Sequence, residues 1–277
     1  MVKLKYFNLV LFAMTACGGP NQETLLDELR VLAMVPDAPE LAPGEATALR
    51  VRVVDPAETG AEVLVWTCTS LGEGCLEDAE GRAVGVLAPT DGWVEAQVAA
   101  PAALGFIASE EPVPLIAAWA LACEAGRCPL IDDVKAGREI DPDRWEDPLA
   151  WMGSLDMVGV SLALNTLSVS TRGPDARHAA PSLEVQAALD PVAPGGTLTI
   201  TAIASGALGP EAQVWAYTEG GGFVSTSERP DEAGAVRFDW IAPDAPGEVP
   251  LYLVLVDDLG GSALWEGAGQ VEAGPGA

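Results

Sequence analysis

The chain has 277 residues, 14 Lys+Arg against 41 Asp+Glu, one His, and a net charge of −27. That balance excludes nucleic acid as a natural partner, because phosphate binding needs a basic patch, and it argues against a polybasic hold on anionic lipid. At 49% apolar residues the chain is too hydrophobic for global disorder, and its length suits one large or two ordinary domains.

Lys3 and Lys5 precede an apolar stretch from Phe7 to Ala16, broken only by Asn8 and Thr15. Such a stretch is too short to span a bilayer but suits the h-region of a signal peptide. It closes with Met14-Thr15-Ala16-Cys17-Gly18-Gly19. Small residues just before a cysteine resemble the lipobox of bacterial lipoproteins, with Met14 where that motif usually has a branched aliphatic. The resemblance implies a signal peptide over 1–16 and a lipid on Cys17. With Gly and not Asp at position 18, it also implies the outer membrane. Several acyl chains on one cysteine anchor durably where one chain would not. The alternative is an ordinary secretory signal that leaves Cys17 as a thiol. Residues 17–27 read as the lipidated tether, and no other apolar run is long enough to span.

A first domain is expected over 28–172. It opens with Leu29 to Val35, turns at Pro43-Gly44 and continues with Leu49, Val51 and Val53 alternating with Arg50 and Arg52. Period-two alternation marks strands with one buried face. Trp66 follows on the third strand. Between Cys128 and Asp156 this domain carries extra residues, an insertion at about 129–156. Asp141-Pro142 and Asp147-Pro148 read as two helix starts, each with Asp capping and Pro first. A last strand is expected around Val158 to Ser170.

Thr171 to Pro181 reads as an interdomain linker, with His178 solvated in it. A second domain over 181–273 repeats the first. Leu183 to Ala187, Ala193-Pro194-Gly195, Leu198-Thr-Ile-Thr-Ala202 and Trp215 match the earlier landmarks. Val236, Phe238 and Trp240 alternate with Arg237 and Asp239, and a last strand is expected around Ala263 to Val271. Gly220-Gly221-Gly222 reads as a hairpin tip; no helix follows it to make a phosphate cradle.

Six or seven short strands in about 100 residues, with a Trp on the third, suit a β-sandwich. The chain resembles bacterial immunoglobulin-like domains, especially the tandem type of secreted and surface lipoproteins. The resemblance implies an all-β fold of two tandem immunoglobulin-like sandwiches, the first with a short helical insertion. It also implies that Trp66 and Trp215 are the core Trp of their third strands.

Besides Cys17 there are Cys68, Cys75, Cys123 and Cys128, and an exported chain would keep them as two disulfides. Their spacing is not that of a zinc site. Cys68 and Cys123 are expected at opposite edges of adjacent antiparallel strands, which favours Cys68–Cys75 and Cys123–Cys128. Calcium is the one cofactor that the carboxylates suggest. Asp141, Asp143 and Asp147 form the nearest thing to a loop for it, with Asp132, Asp133, Asp257 and Asp258 as further candidates. The loop lacks the glycine and glutamate of an EF-hand, and helix capping explains the same residues. Trp145, Trp151 and Trp265 could stack on sugar or anchor a protein; the preferred alternative for Trp145 and Trp151 is that they pack the insertion onto the sandwich.

A single histidine leaves little material for Ser-His or Cys-His catalysis. The functional expectation is therefore a non-enzymatic interaction, adhesion or envelope-assembly module. Its partners would be the membrane, through the lipid, and an envelope protein or glycan. The alternatives are a carbohydrate-binding module and, behind it, a hydrolase using carboxylates near the insertion.

Overall fold

The computed structural model describes residues 24–69, 83–102, 111–136, 160–186 and 188–273. In the first half the elements are β1 (Arg30–Pro36), β2 (Glu40–Leu41), β3 (Ala46–Val54), β4 (Glu62–Thr69), β5 (Ala83–Leu87), β6 (Trp93–Ala99), β7 (Val113–Cys123), α1 (Pro129–Lys135) and β8 (Val160–Val169). They form two sheets, β1-β3-β6 and β2-β8-β7-β4-β5. All pairings are antiparallel except β2, which runs parallel beside β8.

The expected alternation on β3 is present. Leu49, Val51 and Val53 are buried together with Val94, Ala96 and Val98 of β6. Val63, Val65, Ala118, Ala120, Leu167 and Val169 of the other sheet meet them in one shared core. Two sheets closing on one apolar layer make a sandwich.

The second half comprises β9 (Ser182–Val185), β10 (Thr197–Ser205), β11 (Gln213–Thr218), β12 (Gly222–Phe223), β13 (Ser227–Glu228), β14 (Ala235–Ile241), β15 (Gly247–Val256) and β16 (Ser262–Val271). Its sheets are β12-β14-β10-β9 and β13-β11-β15-β16. A parallel bridge from Val192 to Val271 repeats the β2–β8 contact of the first half. The strand order is that of an immunoglobulin-like sandwich in both halves. The second core is built around Trp240, Phe223 and Phe238, the two Phe rings meeting edge to face at 6.0 Å.

Neither Trp66 nor Trp215 lies in the sandwich interior, which corrects the expectation for the third strands. Their inward neighbours are Val63 and Val65 on β4, and Val214 and Ala216 on β11. Trp66 stacks on its register partner Trp119, centroids 5.9 Å apart, on the outer face. There Leu64, Leu121, Cys128 and Ile131 cover it. Trp215 faces the other sandwich. Among the described residues the interior Trp is Trp240 of β14, fully buried, with its indole N–H donating to the Gly220 carbonyl at 3.0 Å.

The described part of the insertion is α1, which starts at a Cys128-Pro129 step with Pro in the first turn and ends at Ala136. Proline suits that position because its missing N–H has no partner there anyway. Ile131 pins the helix to the outer face, and Lys135 in its last turn pairs with Glu62. The two expected Asp-Pro helix starts lie outside the described residues.

Candidate functional site at the seam between the sandwiches

The two sandwiches share a third apolar layer. Leu32, Ala33 and Val35 of β1, Val54 of β3 and Leu26 before them pack against Tyr252 and Val254 of β15. Trp93, Trp215, Tyr217 and Leu264 complete it from the two sides. The strand β1 can serve two layers because both its faces are apolar. Val31 and Met34 enter the first core while Leu32, Ala33 and Val35 enter the seam. A register shift between Val31 and Ala33 re-aims the strand between these duties.

A set of cations over rings runs along the seam. Arg52 stands 5.7 Å from the Trp93 ring and 5.8 Å from Tyr252, and Arg30 stands 5.7 Å from Tyr217. Arg52 also donates from Nε to Glu266 Oε1 at 2.7 Å across the seam, and from Nη1 to the carbonyls of Asp91 and Val53. Placing a guanidinium between two ring faces and a carboxylate uses its planar fork fully. Gly92 allows this approach: its φ is +77°, and a Cβ there would overlap Nη1 of Arg52.

Tyr252 donates its hydroxyl to Glu219 at 2.5 Å, and burial first, then Glu219, holds that hydroxyl protonated well above the usual tyrosine range. Burial also raises Tyr217, against the pull of Arg30. Beside Arg52 and Tyr252 opens a cavity of about 580 Å³, with Asp55, Glu58, Asp91 and Glu219 on its lining. Glu58 and Asp91 both hold φ near +50°. Non-glycine residues in that region are uncommon and cluster at functional sites.

The segment expected to be a solvated linker is docked. The His178 side chain is 5% exposed, with Nε2 2.9 Å from Asp257 Oδ2, and its backbone N–H donates to Glu40 Oε2 at 2.7 Å. This corrects the reading of His178 as solvated. Asp257 uses its other oxygen to accept the amides of Leu259 and Gly261, both at 2.8 Å. Glu40, fully buried, also accepts the Ser170 hydroxyl. Arg177 donates to Glu45 and to the Arg172 carbonyl. The Ala42 amide and then Arg177 hold Glu45 below the usual carboxylate range. His178 thus links a carboxylate of the first sandwich to one of the second. Gly260, at φ +90°, brings the β15–β16 turn so close to the Thr166 carbonyl of β8 that no Cβ fits.

The tether expected over 17–27 is not free along its described length. Leu26 is 2% exposed, and residues 24–26 add a short parallel stretch to β11. The Thr218 amide donates to the Thr24 carbonyl at 2.9 Å, and the Leu26 amide to the Thr218 carbonyl at 2.7 Å.

Of the residues singled out in the sequence, Cys123 and Cys128 are joined, with Cα atoms 6.0 Å apart. The register sets Cys68 opposite Ala117 and Cys123 opposite Glu62, toward opposite ends of the β4–β7 ladder. Cys17, Cys75, Trp145, Trp151, Asp141, Asp143 and Asp147 lie outside the described residues. Trp265 packs half-buried against the second core. Among the described residues no three His, Cys, Asp or Glu side chains converge to hold a metal ion. The same residues contain no helix long and apolar enough to cross a membrane. The sequence did not point to Arg52, Glu266, Tyr252 or the partners of His178. Arg50 and Arg52 read as the solvent side of an alternating strand, and nothing local announced a second layer above it.

No protein-family model matches the chain, and no curated protein matches its sequence. Among solved structures, it is 15% identical to a chimeric titin tandem, over 90% of this chain and 98% of that one, with a TM-score of 0.30. It is 12% identical to the D0-D1 domain of intimin, over 87% and 98%, with a TM-score of 0.24. It is 16% identical to a conjugative transposon lipoprotein from Bacteroides eggerthii, over 32% and 95%, with a TM-score of 0.25. At TM-scores this low the fold assignment stands on the strand order itself.

Proposed function

We propose that the chain is an outer-membrane lipoprotein, held by lipid on Cys17, whose two sandwiches act as one rigid, non-enzymatic interaction body. The observation that carries this reading is the seam. The chain's one histidine is committed to it, Nε2 on Asp257 and backbone on Glu40. A general base must reach the proton it removes, and this side chain is 5% exposed, with its Nε2 bridging the sandwiches. Rigid paired sandwiches present a fixed surface, which lowers the ordering cost of binding a partner. The partner face we favour is the rim of the seam cavity, where Glu58 and Asp91 keep their left-handed backbone.

Two measurements test the reading. Fatty-acid labelling in the producing cell should mark the wild type and not Cys17→Ala; label on neither rejects the anchor. A photo-crosslinking residue at Glu58, in intact cells, should trap one discrete envelope component. Acylated protein that traps nothing there rejects the interaction face.

A further inference from the structure

We propose that the end of the second sandwich where residue 24 joins the fold is a lipid-seating face, and that its occupant is the bilayer holding Cys17. The proposal rests on the lipidation reading and adds an orientation to it. Thr24 is fixed at that end. Its carbonyl accepts the Thr218 amide, and its hydroxyl accepts the Phe223 amide at 3.2 Å. Six residues, 18–23, separate it from Cys17, and the seven Cα steps extend to about 25 Å at most. An acylated Cys17 therefore keeps this end within a short reach of the bilayer.

Two large apolar side chains stand exposed beside Thr24. Val224 follows Phe223 and is 56% exposed, and Ile241, paired in register with Gly222, is 38% exposed. They are two of the four large hydrophobic residues exposed among the described residues. Val256 is another, at the far end of β15 beside the turn that meets the first sandwich. Two side chains would not hold a free protein on lipid. A tether of this length supplies them at high effective concentration, so they need only choose which face lies down. The chain carries −27 overall and Asp244 sits in the adjoining turn. The seating is thus apolar and not electrostatic, and anionic headgroups oppose it.

The test is backbone hydrogen exchange of the acylated protein in phosphatidylcholine vesicles, compared with Cys17→Ala protein in buffer. Exchange at residues 220–226 and 240–246 is expected to slow at least tenfold, with the Asp257–Gly261 turn unchanged. Val224→Asp with Ile241→Asp, both at exposed positions, should abolish that protection while the acyl chains keep the protein on the vesicle. Protection confined to another face, or none, overturns the seating. Protection that grows when phosphatidylglycerol is added overturns its apolar basis. The mass of the N-terminal peptide separates the two failures. An unmodified Cys17 removes anchor and seating together, whereas an acylated Cys17 without protection removes the seating alone.

Discussion

Arg52 occupies an outward position on an alternating strand, where a charged side chain ordinarily costs and contributes little. Here it is 15% exposed, lies between the rings of Trp93 and Tyr252 and is bonded to Glu266. Contacts of this kind contribute about 0.5–2 kcal/mol for each ring and 1.5–3 kcal/mol for the charged hydrogen bond, and they are not additive. Arg52→Ala is expected to cost about 2–3 kcal/mol in urea unfolding. Arg52→Lys should recover less than half of that, since an ammonium keeps the charge but not the fork. Tyr252 gives a pH signature. Its folded hydroxyl keeps its proton well above the ordinary tyrosine value of 10.0. Below that value both states are neutral and the stabilisation is fully present. As pH rises past it, only the unfolded chain releases the proton, and stability is lost. The melting temperature should therefore fall steeply between about pH 10 and 12. Tyr252→Phe should flatten that fall in part, leaving the share of Tyr217, which is raised for the same reason.

At the scale of elements, two segments that read as connectors prove to be structural parts. Residues 24–26 extend β11, and Leu26 is buried in the seam. Leu26→Ala should cost about 2–5 kcal/mol, as for other buried leucines, and should free the amide of Phe223 to exchange. The docked linker makes a parallel case. Removing the imidazole by His178→Ala leaves a fully buried Asp257 oxygen without its partner. Leaving a buried hydrogen-bond acceptor without its partner costs about 1–3 kcal/mol, measurable in the same unfolding experiment. What was legible in the sequence follows from how far each signal reaches. Leu49, Val51 and Val53 announced an inward face because Arg50 and Arg52 alternate with them. The run Val63-Leu64-Val65-Trp66 is apolar on both faces, so periodicity could not say which side Trp66 takes. Thr171 to Pro181 looked like a free linker because its anchors, Glu40 and Asp257, lie 138 and 79 residues from His178. The seam was illegible for that same reason: each half of it reads locally as an ordinary strand surface.

At the scale of the molecule, the question is whether two sandwiches with separate cores behave as two bodies or one. Each has its own apolar layer, so each could in principle unfold alone. The seam opposes this with a shared apolar cluster, the Arg52–Glu266 pair and the His178 latch. Unfolding one sandwich would expose Leu32, Val35, Tyr252 and Val254 together and strand a buried Asp257 or Glu40. At roughly 1.5–3 kcal/mol for each large apolar side chain, that penalty rivals the whole stability of a typical domain. The intact chain is therefore expected to melt in calorimetry as one transition, with van't Hoff and calorimetric enthalpies equal. Raising salt should move that transition upward as screening relieves the self-repulsion of −27 charges, without splitting it. Arg52→Ala combined with His178→Ala removes two of the polar links while touching neither core. That variant keeps the apolar cluster, so its single transition should move to a lower temperature without splitting. Two resolved steps in the wild type would show that the seam does not couple the sandwiches, and the rigid-body account of how this chain presents its surface would fall with it.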